Sequence, residues 1–310
     1  MNKIAFVFPG QGSQYVGMGK DFYENFQESK EIFQKANEAS NLDITKLCFE
    51  GPDDELNMTE ITQPALLTVC MAIYEVLSKK SGMVPSVMGG QSLGEYTALT
   101  AAGTMNFQTA VKLVRSRGNY MQNTVPLGEG GMLALLGCKA EDAICFCDEV
   151  TDRYGIVEPS NFNCPGQIVV GGESWAIENV LKLTSQFNSD IKKAVRLNVS
   201  APFHTSMLKP AGKKLRNELD KIKFKKPFCN VISNVDAEYY CDVFAMADKL
   251  EKQVYNPVRW EDCVRKMIDD GIDTFVEIGP GKALSSFIRK INKNVETINI
   301  DSVSSLSNYI

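Results

Sequence analysis

A single histidine, His204, occurs in the 310 residues. Any reaction that needs an imidazole must use it, and a zinc site built on paired histidines is excluded. The nine cysteines are odd in number and scattered, which suits reduced thiols better than a disulfide framework. "ICFCDEV" (144–150) holds a Cys-x-Cys pair, but no second pair at metal spacing follows, so no metal is expected. There is no long basic run and the net charge is −5, which argues against a nucleic-acid partner. The chain starts at once with an apolar run, without the basic region and cleavage site of a signal peptide. No apolar stretch approaches the roughly 20 residues of a membrane span. These absences describe a cytoplasmic protein that engages neither nucleic acid nor membrane.

What is present is an ordinary globular composition, 44% hydrophobic and 23% charged, long enough for one large domain carrying an insertion. Glycines cluster in "FVFPGQGSQYVGMGK" (6–20), directly after a strand-like run. Such loops commonly cradle phosphate, but the spacing is wrong for it. A dinucleotide fingerprint after Gly10 and Gly12 needs Gly or Ala where Tyr15 stands, and a P-loop ending at Lys20 needs glycine at Gln14 and Ser or Thr at Asp21.

Strand-like and helical runs alternate, which predicts an α/β fold with a mainly parallel sheet. Strands are expected at 3–8 and 85–90, then near "CNVISN", "TFVEIGP" and "VETINI". Helices are expected at 21–39, at 62–80 with Thr62 as cap and Pro64 in the first turn, from about Leu93, at 107–122, near 207–222 and over "KALSSFIRKIN". Between them lies a β-α-β-β-α-β series, with strands at 131–137, in "IVEPSNFN" and "GQIVVGG", and at 192–199, and helices over "KAEDAICFCDEVTDRYG" and "ESWAIENVLKLTSQF". That order is the ferredoxin-like unit. The reading is a large catalytic subdomain, residues 1–126 and 198–310, into which 127–197 is inserted, with a cleft where the two meet.

"MGGQSLGEY" (88–96) contains G-x-S-x-G between an apolar strand and a helix, the context in which that pattern projects a nucleophile. Ser92 would stand at a helix N-terminus, where the dipole favours developing negative charge. A serine hydroxyl needs a base, and His204, in the loop "NVSAPFHTSMLKP", is the available one.

The segments "FPGQGSQ", "GQSLGEY", "RGNYMQ", "NFNCPGQIVVGG", "APFHTSMLKPA", "QVYNPVRW" and "VEIGPGKAL" occur in this order along nearly the whole chain. In this the sequence resembles the malonyl-CoA:acyl carrier protein transacylases, in their free-standing form. The resemblance implies an α/β-hydrolase-like large subdomain carrying the inserted unit. It also implies a ping-pong transfer of malonyl from malonyl-CoA to the phosphopantetheine thiol of an acyl carrier protein through a malonyl-serine. The glycine loop then serves an oxyanion, bound by the backbone N–H groups of Gln11 and Leu93. Arg117 is implied to grip the malonyl carboxylate, Phe203 to crowd the substrate beside it, and the main-chain carbonyl of Gln253 to orient His204. No cofactor is implied, since phosphopantetheine is carried by the partner, and a monomer is expected. Gln91 departs from the pattern, because many relatives have histidine there.

Two other readings remain at this level. A serine esterase or thioesterase also uses G-x-S-x-G, and a non-catalytic carrier-binding module would keep the fold without the chemistry. Carrier docking on a net-negative protein calls for a local basic patch. Lys182, Lys192, Lys193 and Arg196, with Lys209, Lys213, Lys214 and Arg216, are the candidates.

Overall fold

The computed structural model describes residues 3–184, 191–199 and 201–310. In chain order its strands are β1 (Ile4–Phe8), β2 (Val87–Gly90), β3 (Gly130–Leu136), β4 (Val157–Cys164), β5 (Gln167–Glu173), β6 (Lys193–Arg196), β7 (Asn230–Val231), β8 (Thr274–Ile278) and β9 (Glu296–Ile300). They form two sheets.

The first sheet runs β7-β2-β1-β8-β9, and every pairing in it is parallel. Its inner strands β1, β2 and β8 are short and almost wholly buried, as in a parallel sheet covered on both faces, whereas the edge strand β9, "ETINI", alternates. β1 lies at the centre, paired to β2 by Ala5 opposite Val87 and to β8 by Ile4 opposite Thr274. Ligand sites in such sheets form beyond the carboxyl ends of the strands, and the glycine loop and the Ser92 turn follow β1 and β2 there.

The second sheet is antiparallel, in the order β4-β5-β3-β6, with helices at Ala140–Tyr154 and Ser174–Thr184 supplying the crossovers. One face packs on these helices through Leu133, Leu135, Val170, Ile177 and Val150. Met132, Ala134 and Val169 turn the other way, into the core of the larger part. Strict alternation along β3 and β5 thus glues one sheet to two neighbours.

Several boundaries differ from expectation. The 62–80 helix starts at Thr59, with Met58 as N-cap, and the Thr62 hydroxyl donates to the Leu56 carbonyl at 2.6 Å instead of capping. Pro64 therefore lies within the helix. Contrary to the sequence reading, this helix is long and apolar enough to cross a membrane by length and composition alone: an 18-residue window of Thr59–Lys80 has mean hydropathy 1.4, but 89% of that window is buried inside the fold. The 21–39 run is broken at Phe26, whose extended backbone separates Lys20–Asn25 from Gln27–Ser40. Of the strand expected at "CNVISN" only Asn230 and Val231 join the sheet, with Ile232 adding an isolated bridge to Tyr239, and the strand expected at 192–199 is Lys193–Arg196. The last residues of the helix expected over "ESWAIENVLKLTSQF" fall outside the described residues.

Candidate active site

Gly90 and Gly94 explain the turn after β2 by close approach. A Cβ on Gly94 would sit 2.0 Å from the Phe8 carbonyl oxygen, and one on Gly90 would sit 2.2 Å from the Gly94 backbone. With both side chains absent, the helix Leu93–Ala101 starts hard against the ends of β1 and β2. The chain can turn that sharply only if Ser92 adopts φ 53°, ψ −103°, an uncommon backbone for a residue with a Cβ. Asn234, three residues beyond the neighbouring strand β7, braces it. Its Oδ1 accepts the Ser92 N–H at 2.7 Å and its Nδ2 donates to the Gly90 carbonyl at 2.9 Å.

Ser92 and His204 come together. The Ser92 hydroxyl lies 2.7 Å from His204 Nε2, and His204 Nδ1 lies 2.7 Å from the main-chain oxygen of Gln253. A carbonyl can only accept, so Nδ1 carries the ring proton and Nε2 presents its lone pair to the serine. His204 is 3% exposed and also has a positive φ, 61°. Burial, then the nearby Arg117 guanidinium, lower its pKa from 6.5 to about 3, so the imidazole is neutral at physiological pH.

Arg117, on the helix Phe107–Asn123, is 1% exposed and reaches the same point. It donates to Ser92 Oγ at 3.0 Å, to Gln253 Oε1 at 2.8 Å and to Gln63 Oε1 at 2.8 Å, and its guanidinium lies 5.0 Å from the Tyr96 ring centroid. Its Nε is buried with no hydrogen-bond partner among the described residues. A fixed cation with neutral acceptors and a spare donor is a receptor for an anionic group.

The loop after β1 folds over the nucleophile. Gly10 is so close that a Cβ there would lie 2.5 Å from the Gln91 carbonyl oxygen, and Gln11 Nε2 donates to Thr59 Oγ1 at 3.2 Å. Gln11, Leu93, Ser92, His204, Arg117 and Phe203 all line one cleft of about 250 Å³, whose far wall is Met132, Ala134 and Val169 of the second sheet. Across its mouth Gln91 donates to Asn163 of β4.

Sequence reasoning missed Gln63, Glu95, Asn234 and Tyr240. Only Glu95 left a signal, as the sole charge in the otherwise apolar helix "LGEYTALTA". Among the candidate docking residues, Arg216 is engaged by Asp220, Asp248 and Glu251, and Arg196 by Glu178, which removes both from a free basic patch. Lys182 lies over the Trp175 ring, while Lys192, Lys193, Lys209, Lys213 and Lys214 are exposed.

Comparison with known proteins identifies the family. Residues 5–306 match the family described as acyl transferase domain. A malonyl CoA-acyl carrier protein transacylase of Bacillus subtilis is 45% identical over 96% of this chain and 93% of its own. The protein of that name from Escherichia coli K12 is 42% identical over 94% of this chain and 93% of its own. The crystal structure of the Clostridium perfringens malonyl CoA-acyl carrier protein transacylase superposes with a TM-score of 0.94 at 47% identity, covering 99% of this chain and 95% of that one. A malonyl-transacylase solved in complex with its type II polyketide acyl-carrier protein gives a TM-score of 0.95 at 39% identity, covering 99% and 98%. With the match running nearly end to end, and with Ser92, His204 and Arg117 brought together in one cleft, the chain belongs to the acyl transferase family, among the malonyl CoA-acyl carrier protein transacylases.

Proposed function

We propose that this protein moves a malonyl group from coenzyme A to the phosphopantetheine thiol of an acyl carrier protein through an ester on Ser92. The observation that carries the reading is the buried Arg117 guanidinium 3.0 Å from the Ser92 hydroxyl. A hydrolase of neutral esters has no use for a cation beside its nucleophile with no carboxylate on its donors, whereas an acyl group ending in carboxylate requires one.

In the first half-reaction Ser92 Oγ gives its proton to His204 Nε2 and attacks the thioester carbonyl. The N–H groups of Gln11 and Leu93 receive the oxyanion, worth about 2.7–4 kcal/mol per donor. Collapse breaks the C–S bond, and the departing thiolate takes the proton back from Nε2. In the second half-reaction the carrier's thiol gives its proton to Nε2 and its sulfur attacks the ester; collapse breaks the C–Oγ bond, and Ser92 Oγ takes that proton back. The Gln253 carbonyl holds the ring tautomer throughout, so no acidic third member is needed. Arg117 takes the acyl carboxylate, and Phe203, 8% exposed beside His204, limits bulk next to it. The strand order β4-β5-β3-β6 with its two crossover helices supports reading 127–197 as a ferredoxin-like unit set into a larger α/β-hydrolase-like one.

Intact-mass spectrometry after brief exposure to malonyl-CoA tests the proposal. A malonyl adduct that is stable in water and discharged by holo acyl carrier protein is the expected result. Rapid loss to water would establish a thioesterase, and no adduct a binding module.

A further inference from the structure

Glu95 has no part in the steps above, yet it is fully buried a few ångströms from them. Its Oε1 accepts from the Tyr240 hydroxyl, and its Oε2 accepts from the Asn234 N–H at 3.0 Å and from Gln253 Nε2 at 2.6 Å. All three partners donate, which favours the carboxylate, although burial pushes its pKa up to about 7. Arg117 faces neutral acceptors. The Gln253 carboxamide stands between the two charges, its Oε1 on Arg117 and its Nε2 on Glu95 and on the Ser92 carbonyl.

We propose that Glu95 is the resident counter-charge of Arg117, coupled to it across the Gln253 carboxamide, and that this positioning residue sets how tightly the pocket holds an anionic acyl group. A carboxylate placed directly on the guanidinium would occupy the donors that a substrate needs. One amide away, it offsets the cost of burying the cation and leaves the guanidinium Nε open. It also repels the arriving carboxylate, so the malonyl group is held without being trapped. The inference rests on the reading of Arg117 as the acyl carboxylate's partner.

The test uses Ser92→Ala protein, which binds acyl-CoA but is not acylated, with and without Glu95→Gln. The glutamine is isosteric. Its Oε1 accepts from Asn234 and Gln253 in place of the carboxylate Oε2, and its Nε2 donates to the Tyr240 oxygen, so the network survives without its charge. Calorimetry with malonyl-CoA and acetyl-CoA is expected to show malonyl-CoA bound on the order of tenfold more tightly, with acetyl-CoA unchanged within about twofold. Unchanged or weaker malonyl-CoA binding overturns the proposal, and so does an equal change for both ligands, which would mark a merely structural role. Should Glu95→Gln fail to fold, Tyr240→Phe removes one donor and biases the carboxyl towards its neutral acid. Tighter malonyl-CoA binding is again expected, and its absence overturns the proposal. Arg117→Met in the same background separates the two levels. If the malonyl preference survives it, the reading of Arg117 fails; if the preference is lost but does not respond to Glu95, only the counter-charge fails.

Discussion

Replacing Arg117 with methionine separates charge from packing. The side chain is 1% exposed, so its volume must be filled, and methionine is flexible enough to do so. Removing one member of a buried charge pair ordinarily costs about 3–5 kcal/mol, because its partner is left uncompensated. Here that partner, Glu95, has a pKa raised to about 7 and can take up a proton when the cation goes. Gln63 Oε1 and Gln253 Oε1 each also lose a donor, at about 1–3 kcal/mol apiece. The variant is expected to be less stable than the native protein and still to fold, which its thermal melt checks. Loading is different. Two charge-assisted bonds to a malonyl carboxylate, at about 1.5–3 kcal/mol each, amount to about 3–6 kcal/mol, or roughly 10²–10⁴-fold in kcat/KM. An acetyl group makes neither bond and loses neither. The variant also lacks the cation that, after burial, helps hold the His204 pKa at about 3. The base works only when neutral, so loading fails below its pKa, and the acid limb of the variant moves up in pH while that of the native protein stays well below 6.5. The assay is the rate of adduct formation from malonyl-CoA and acetyl-CoA by intact mass, from about pH 4 to 8, a window that the native limb, at about 3, lies below and that the variant's limb is expected to enter. Equal losses with the two substrates and an unmoved limb would refute the reasoning.

The Ser92 backbone at φ 53° stores strain of about 1–3 kcal/mol, so Ser92→Gly should abolish the adduct and yet raise Tm, and a lowered Tm would show an unstrained turn. Gly94→Ala forces a Cβ against the Phe8 carbonyl, and a cost at the upper end of about 1–3 kcal/mol with loss of loading is expected; normal loading would mean the contact is slack. Reversing the exposed Lys192 and Lys193 to glutamate should raise KM for carrier protein and spare malonyl loading, an effect that added salt mimics, since exposed charges are screened over about 8–10 Å. If neither treatment separates the half-reactions, carrier docking lies elsewhere.

How far the sequence reaches depends on the range of the physics. The strand, turn and helix around Ser92 were legible because Gly90, Ser92 and Gly94 meet steric demands within a few residues. The β-α-β-β-α-β series showed itself because alternation along β3 and β5 reports a sheet with two different neighbours. Asn234 was invisible: it braces Ser92 from 142 residues away, and nothing in "VISNVDAEYY" announces it. The same holds for Gln63, whose amide is read only once the helix Thr59–Lys80 lies beside Phe107–Asn123. The start of that first helix was misplaced because the Thr62 hydroxyl is spent on a local carbonyl, a choice made by burial and not by propensity.

The position of β1 has a consequence for how the protein is made. β2 is synthesised early, but the other neighbour of β1 is β8, at Thr274–Ile278. Until that segment leaves the ribosome, the strand that carries the Gln11 loop keeps one edge unpaired. At about 5–20 residues per second, the interval between Gly90 and Thr274 lasts roughly 10–40 s. Throughout it an apolar strand edge stays open to wrong partners, and the Gln11 loop has only half its foundation. A nascent chain halted short of β8 is therefore inactive and a client for chaperones, even though Ser92, Arg117 and His204 have all been translated.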